Sequence, residues 1–271
     1  MIKNLLFLVL LILMVMFDNN FFNFNMEPFS KKNYLDMYNK KTLWVYTPTH
    51  ITSKPLIRVL LDNMTNKLGD IYNILVFDES KIKGIIPEYM EYLNSSKNTY
   101  IFMNMLKYFI IYKHGGIWIP YHTIVLNEFY IDEEPYKNDR LIFFGENTLN
   151  YSARYNKFNF EIIASKAGTE QVKRIIDQLI ENAGSFNNSI VFNNLLDFKI
   201  NSDAHIHYSR IVSELTLENL TNTFDKPKIK SYEKLVLLDK DELLNSPKYK
   251  YLLNLDKNAL QNASIFLKQL L

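Results

Sequence analysis

Apolar and polar positions along the chain alternate between two patterns. Short apolar runs rich in β-branched and aromatic residues predict buried strands, and apolar residues spaced three or four positions apart predict helices. Strands are predicted at Thr42–Tyr46, Tyr72–Phe77, Ile117–Ile119, Arg140–Phe144, Phe160–Ala164, Ala204–Tyr208 and Lys234–Leu238. Helices are predicted at Lys54–Leu68, Pro87–Leu93, Asn98–His114, Thr169–Ala183, Ile190–Leu196 and Asn258–Leu271. Strands that alternate with helices predict an α/β domain with helices on both faces of the sheet.

The N-terminal pattern differs, because Leu5–Phe17 is an unbroken apolar run between Lys3 and Asp18. As a helix this run reaches roughly 20 Å, which is short of the roughly 30 Å hydrocarbon core. Counted from Met1, with the Lys3 side chain extended to the interface, the helix can just span a thin membrane. We therefore expect a signal-anchor helix over residues 1–18. A cleaved signal peptide and a buried helix are the alternatives.

The charges around this run predict its orientation. Positive charge before it predicts a cytoplasmic N-terminus and a single-pass type II protein with a lumenal or extracytoplasmic domain, which is secreted if the segment is cleaved. Residues 19–41 are expected to form a stem, and residues 42–271 the catalytic-type domain. Asn-x-Ser/Thr sequences fit a lumenal domain. They begin at Asn63, Asn94, Asn150, Asn187, Asn219 and Asn262.

Composition narrows the classes of function. The 271 residues include 19 Phe, 18 Tyr and no Cys, and the net charge is +2. The high content of large apolar residues excludes an intrinsically disordered chain. The small net charge does not indicate a surface that binds nucleic acid. The absence of Cys excludes disulfides and thiolate zinc sites.

One predicted helix carries two polar residues in an otherwise apolar pattern. The helix Asn98–His114 is apolar nearly all round, which is typical of a buried helix. Asn104 and Lys107 interrupt the pattern and share one face, because they lie three positions apart. A buried lysine is costly unless an anion meets it. We therefore expect this face either at a solvent edge or in a polar cleft.

The segment after this helix predicts a ligand cleft. Gly115-Gly116 permits a left-handed helix end and a tight turn into the strand Ile117–Ile119. Pro120 ends that strand, because proline has no N–H for the sheet. In an open α/β sheet, ligands bind beyond the carboxyl ends of strands. The side chains of the four residues that follow are therefore expected to line a ligand cleft: Pro120, Tyr121, His122 and Thr123.

The stretch Tyr100–Leu126 also carries a longer pattern of fixed spacing. Tyr108, Tyr112-Lys113, the glycine pair and Ile117–Ile119 follow one another along it. This pattern resembles the signature of the DXD sugar-binding glycosyltransferases, which include capsular-polysaccharide-synthesis and initiating mannosyltransferase-like members. Their signature runs Ser-Asp, two apolar residues, Arg-Tyr, an apolar stretch ending in Tyr-Lys, one residue, Gly-Gly, Ile-Tyr-Leu and Asp-x-Asp. The segments 76–79 and 159–168 are similar to strands that flank this signature in the family.

The resemblance covers about residues 42–185. It implies a GT-A-like fold with a mixed central sheet, and a glycosyltransferase that moves a sugar from a nucleotide-sugar donor to a glycan or protein acceptor. By position, Asn104 and Lys107 would face the sugar and diphosphate of the donor. Gly115 and Gly116 would form the edge of the cleft, and Tyr121 with His122 would occupy the metal-motif position.

The chain differs from the family at the positions whose side chains bind the metal ion in the family. The aspartate of Ser-Asp is Asn104, the arginine is Lys107, and the two aspartates of Asp-x-Asp are Pro120 and His122. Proline cannot bind a metal through its side chain, and imidazole suits Zn²⁺ better than Mg²⁺. The divalent-metal site of the family is therefore not expected to be intact in this chain. Three outcomes stay open: metal-free transfer with Lys107 and Arg154 as cationic clamps, a metal site rebuilt around His122, or an inactive sugar- or nucleotide-binding pseudoenzyme. A membrane-tethered interaction module without a ligand is a further alternative.

Four more positions are candidates. His205 and His207 face the same side of a predicted strand. They form a metal site with His122 or are simply polar residues on a half-exposed strand. Asp78 follows the second predicted strand, where it either contacts the ribose or base of the donor or caps the next helix. Thr47 follows the first predicted strand, where it either begins the donor pocket or forms a simple turn.

Overall fold

The structure of the chain, a computed structural model, describes residues 40–96, 99–131, 133–146, 158–182, 205–213, 216–222, 229, 233–263 and 265–271. Only the backbone is described at 145–146, 158–159, 205–213 and 266. The predicted anchor over 1–18, residues 19–39 of the predicted stem, Arg154 and the predicted helix Ile190–Leu196 lie outside this part of the chain. Among the described residues, no helix combines the length and the apolar composition needed to cross a bilayer.

The described strands form one mixed sheet. They are β1 Thr42–Tyr46, β2 Asn73–Phe77, β3 Gly116–Trp118, β4 Thr123–Val125, β5 Ile142–Glu146, β6 Phe158–Ser165, β7 His205–Ser213 and β8 Leu235–Leu237. Their order is β2-β1-β3-β6-β5-β7-β8-β4. β1 is parallel to β2 and β3, and β7 is parallel to β5 and β8. β6 runs antiparallel to β3 and β5, and β4 runs antiparallel to β8. The predicted mixed central sheet is therefore confirmed.

Helices connect the strands. They are α1 Thr49–Thr52, α2 Pro55–Leu68, α3 Glu79–Ile85, α4 Met90–Ser95, α5 Thr99–His114, α6 Glu133–Lys137, α7 Glu170–Asn182, α8 Leu217–Thr221, α9 Lys240–Asn245 and α10 Lys257–Asn262. Single 3₁₀ turns lie at Pro87–Tyr89, Lys250–Asn254 and Phe266–Gln269. The side chains of Asp78, Thr216, Asp239 and Asp256 cap α3, α8, α9 and α10 by accepting backbone N–H bonds.

The sheet is covered on both faces, as β1 shows. Leu43 and Val45 point into a core shared with α2 and the C-terminal helices. Trp44 and Tyr46 point to the opposite side, into a core shared with α5 and α7. This alternation follows from the two-residue period of a strand, and a strand covered on both sides is apolar throughout. The predicted helices on both faces of the sheet are therefore present.

The predicted C-terminal helix Asn258–Leu271 is wrong in its extent. α10 ends at Asn262, and Ala263 adopts an extended backbone with φ −73° and ψ 138°. The chain resumes as the 3₁₀ turn Phe266–Gln269. Leu260 on α10 and Leu267 in the turn are both buried in the same core. Two short segments therefore bury the apolar residues that a single amphipathic helix was expected to bury.

Asn63 belongs to the core although it begins an Asn-x-Thr sequence. Its side chain is buried on α2, and its Oδ1 accepts a hydrogen bond of 2.8 Å from the backbone N–H of Val125. The amide thus fixes β4 against α2. Because its amide faces Val125, Asn63 is not accessible as a glycan acceptor in the folded domain.

Candidate functional site

The order of the first three strands gives a topological switch point, where open α/β sheets have a crevice. β2 lies on one side of β1 and β3 lies on the other, and all three are parallel. The chain leaves β1 over one face through α2 and returns to β3 over the opposite face through α5. Ligands of open α/β sheets bind beyond the carboxyl ends of strands at such a switch point. The candidate site therefore lies where β1 and β3 end.

The loop after β3 is held in place by hydrogen bonds. The backbone N–H of Ile119 donates to the carbonyl of Trp44, which extends the ladder by one residue before Pro120 stops it. Thr123 Oγ1 donates to the carbonyl of Pro120 at 2.6 Å. The carbonyl of His122 accepts a 3.0 Å hydrogen bond from the N–H of Leu238. Residues 120–123 are all buried, so this loop is a fixed part of the domain.

Glu161 from the neighbouring strand meets His122 at the end of β3. The antiparallel register pairs Trp118 with Ile163, and its continuation brings Glu161 opposite Pro120. Glu161 Oε2 lies 3.1 Å from His122 Nε2. The His122 side chain is only 7% exposed, whereas that of Glu161 is 59% exposed. The pair therefore joins a buried imidazole to a carboxylate at the surface of the crevice.

Three basic side chains act on this carboxylate. Partial burial raises the pKa of the Glu161 carboxyl, but the hydrogen bond and charge of His122 outweigh that effect. The ammonium groups of Lys107 and Lys240 add to it, and the pKa of Glu161 falls to about 2. Glu161 is therefore ionised at neutral pH, and it is a weak proton acceptor. This makes the carboxylate suited to holding an imidazole rather than to removing a proton from a substrate.

Lys107 lies beside this pair, and it is buried. Its Nζ donates a hydrogen bond of 2.5 Å to the carbonyl of Phe160. Burial lowers the pKa of Lys107 to about 8, and the charge of Glu161 opposes the change. The alternative of a solvent edge is thus wrong for this residue. Asn104 is also buried, and its Nδ2 donates to the carbonyl of Tyr100 on the same helix at 3.0 Å.

Three buried polar atoms in the residues that follow β1 and β3 have no hydrogen-bond partner within the described part of the chain. They are Thr47 Oγ1, Tyr121 OH and His122 Nδ1. An unpaired buried polar group costs free energy, and most such groups in native proteins are satisfied. They follow two adjacent parallel strands, so unused hydrogen-bonding capacity is concentrated beyond the ends of β1 and β3.

The loops after β1 and β2 are tied together by a second carboxylate. Glu79 Oε2 accepts hydrogen bonds from the N–H of Thr49 at 2.9 Å and from its Oγ1 at 2.5 Å. Partial burial opposes ionisation, but the bonds from Thr49 and Tyr46 hold the pKa of Glu79 below its ordinary value. Asp78 Oδ1 accepts from the N–H of Ser80 at 3.0 Å, so its side chain forms the predicted helix cap.

The glycine pair lies at the opposite end of β3 from His122. Gly115 and Gly116 have φ of 67° and 98°, which disfavours any other residue type. A Cβ on Gly116 would lie 2.2 Å from the carbonyl oxygen of Thr42 at the start of β1. The pair therefore lets helix α5 turn closely past β1. The structure does not bring it together with the residues of the crevice.

The three histidines of the predicted metal site lie on different parts of the sheet. His122 follows β3, and His205 and His207 lie on β7. His205 and His207 pair with Ile142 and Phe144 of β5, and β6 and β5 separate their strand from β3. Their side chains are outside the described part of the structure. Among the side chains that are described, no group of three His, Asp or Glu residues is arranged to hold a metal ion.

The residues at the end of β3 do not fit a hard divalent cation. Such an ion prefers several oxygen ligands, above all carboxylates. Pro120 offers no side-chain donor, and His122 Nε2 is already held by Glu161. The side chains at the end of β3 therefore offer too few oxygen ligands for such an ion.

Sequence reasoning missed Glu161, although the signal for it was present. The predicted strand Phe160–Ala164 has Glu161 as its single acidic residue in an otherwise apolar run. Glu161 is 39 positions from His122 in sequence. Only the antiparallel register of β6 brings the two side chains together, and a strand pattern does not specify its partner.

Comparison with known proteins gives structural likenesses and no sequence match. No protein-family model and no curated protein match the chain. The solved PaToxG glycosyltransferase is similar over 60% of this chain and 70% of its own, with 15% identity and a TM-score of 0.36. The glycosyltransferase GlyE of Streptococcus pneumoniae TIGR4 is similar in its apo form over 64% of this chain, with 11% identity and a TM-score of 0.42. A further GlyE structure is similar over 80%, with 10% identity and a TM-score of 0.47. The chain spans 46% and 61% of these two GlyE chains.

Proposed function

We propose that the domain transfers a sugar from a nucleotide-sugar donor to a glycan or glycoprotein acceptor. The observation that carries the proposal is the set of unpaired buried polar atoms of Thr47, Tyr121 and His122 after β1 and β3. These atoms lie at the switch point of the sheet, where ligands of α/β folds bind. The resemblance of Tyr100–Leu126 to the DXD sugar-binding glycosyltransferases supplies the class of ligand.

The polar atoms at the crevice suit a donor rich in oxygen. The hydroxyls of Thr47 and Tyr121 can each donate or accept, as sugar hydroxyls and phosphate oxygens require. Glu161 is ionised and exposed, so it can accept from sugar hydroxyls at the mouth of the crevice. In the proposed reaction the bond between the anomeric carbon and the diphosphate oxygen breaks, and the nucleoside diphosphate leaves with the electron pair. A bond to the acceptor oxygen forms, and the acceptor proton passes to solvent.

Binding and turnover of donors test this proposal. The full chain is purified in detergent and its thermal unfolding is followed with UDP-glucose, UDP-N-acetylglucosamine and GDP-mannose. Release of nucleotide from each donor is measured in parallel. Stabilisation by a donor together with nucleotide release supports transfer. Stabilisation without release supports the inactive sugar- or nucleotide-binding alternative, and the absence of both refutes the proposed function.

A further inference from the structure

The cation implied by the Asp-x-Asp resemblance does not fit the residues at the end of β3. We propose that Lys107, His122 and Glu161, here called the charge cluster, substitute for the metal ion. In this arrangement Glu161 is a positioning residue that holds His122, and His122 Nδ1 bonds the leaving diphosphate. The inference rests on the proposed function and deepens it, because it specifies how the donor is held.

The position of the charge cluster is the first support. Residues 120 and 122 occupy the Asp-x-Asp positions of the resemblance. β6 runs antiparallel beside β3, and its register brings Glu161 opposite Pro120. A carboxylate from a second strand thus stands next to the place where the family has its first aspartate. Its Oε2 lies 3.1 Å from His122 Nε2, so this carboxylate contacts a side chain of the protein.

The charges around Glu161 are the second support. The ammonium groups of Lys107 and Lys240 both act on its carboxylate. Among the described residues, the carboxylate of Asp241 acts on the hydroxyl of Tyr121. A divalent cation is bound by an excess of negative ligands. The two ammonium groups that act on Glu161 offset its negative charge, which disfavours a cation and favours an anion such as a diphosphate.

The orientation of His122 is the third support. Its Nε2 is occupied by Glu161, and its Nδ1 is buried without a partner within the described part of the chain. A carboxylate on one ring nitrogen fixes the orientation of the ring, and the second nitrogen then points away from it. When Nδ1 carries a proton, it and the buried lysine can offset negative charge that develops on a leaving phosphate, as preorganised donors do elsewhere.

The metal dependence of diphosphate binding tests this inference on the full chain. Isothermal titration with UDP, GDP, CDP, ADP and pyrophosphate is performed in excess EDTA and again in MnCl₂. We expect the preferred nucleoside diphosphate to bind with the same affinity in both, within about twofold, because the protein supplies the charge that a metal would supply. Electron paramagnetic resonance should show that the wild-type chain leaves the signal of free Mn²⁺ unchanged.

Variants at the cluster sharpen the test. His122→Asp places a second carboxylate beside Glu161, so it should bind Mn²⁺ and make diphosphate binding depend on Mn²⁺. His122→Asp combined with Glu161→Gln should lose that Mn²⁺ binding by at least about tenfold, since one ligand is removed. His122→Asn retains a polar side chain of similar size, so it covers the case in which His122→Asp does not fold. It should weaken diphosphate binding in EDTA by about tenfold, which corresponds to one charge-assisted hydrogen bond.

The outcomes separate this inference from the proposed function. Diphosphate binding by the wild-type chain only in Mn²⁺, or binding of Mn²⁺ alone, would overturn the charge cluster as a metal substitute and leave the proposed function standing. Unchanged affinity of His122→Asn for the diphosphate would also overturn it. If no diphosphate and no pyrophosphate bind in either buffer, both proposals are refuted.

Discussion

Lys107 Nζ lies 2.5 Å from the carbonyl oxygen of Phe160, inside the domain rather than at its surface. Burial lowers the pKa of this ammonium group to about 8, with Glu161 opposing the change. The unfolded chain releases the same proton near 10.5. Between these two values the unfolded state binds more protons than the folded state, so stability rises with pH in this window.

Replacement of Lys107 tests this assignment. Between pH 8 and about 9.5, the free energy of unfolding of the wild-type chain should rise by about 1–2 kcal/mol relative to Lys107→Met. Urea unfolding of both proteins at matched pH values measures the difference. Lys113→Met is the control, because Lys113 forms an ion pair with exposed Glu88. Parallel pH curves for the wild type and Lys107→Met would show that the ammonium group is solvated.

Removal of the unpaired hydroxyls of Thr47 and Tyr121 should have opposite effects on the stability of the protein and on donor binding. Thr47→Val and Tyr121→Phe each remove a buried hydroxyl that lacks a partner within the described part of the chain. The unliganded protein should keep its stability or gain up to about 1 kcal/mol, because an unsatisfied group is removed. Donor affinity should fall about fivefold to tenfold, because a hydrogen bond to the ligand is lost.

A third hydroxyl provides the control for this pair. Tyr108 OH is also buried without a described partner, but it lies in the core between α5 and the sheet. Tyr108→Phe should therefore affect stability alone. Thermal unfolding and donor titration of the three variants measure both quantities. Equal donor affinity in all of them would place the donor site elsewhere.

The side-chain amide of Asn63 should stabilise the folded domain, although Asn63 begins a sequence typical of glycosylation sites. Asn63→Ala leaves the N–H of Val125 without its acceptor inside the core. The free energy of unfolding should fall by about 1–3 kcal/mol, which is the cost of an unsatisfied buried group. Asn66→Ala on the exposed side of the same helix is the matched control. Urea unfolding compares them, and equal stability of the two variants would contradict the structure.

The turn between α5 and β3 should tolerate no side chain. Gly116→Ala would combine a φ of 98° with a Cβ at 2.2 Å from Thr42 O, so the backbone of β1 must shift. We expect a loss of at least about 2 kcal/mol. Gly84→Ala on α3, where a Cβ meets nothing within 4 Å, should instead gain about 0.5–1 kcal/mol. Denaturant midpoints distinguish the two, and a neutral Gly116→Ala would refute the close packing.

Local sequence patterns were sufficient where an element is defined by its own residues. β1 has the predicted bounds Thr42–Tyr46, and α5 ends at the predicted His114 because the glycine pair follows it. The amphipathic face of α7, with Val172 and Ile176 in the core, was also predicted. The short segments β4 and α9 were not predicted.

The candidate site was predictable only in part. Thr47, Tyr121 and His122 were expected at strand ends, and the structure has them there with unpaired polar atoms. The glycine pair was expected in the same cleft, but the helix-to-strand turn lies at the amino end of β3. Glu161 was missed because its contact depends on which strands are neighbours, and sequence periodicity gives no information on strand order.

The reversed direction of β6 has a consequence for comparing this chain with relatives. In a purely parallel sheet, every residue near the ligand follows a strand. β6 runs in the opposite direction to β3 and β5, so its first residues lie at the end of the sheet that carries the candidate site. The residues of β3 and β5 at the same end are the last residues of their strands. Equivalent functional groups in other chains should therefore be sought both after the end of one strand and at the start of the next. An alignment anchored on a single motif will overlook one of these two sets.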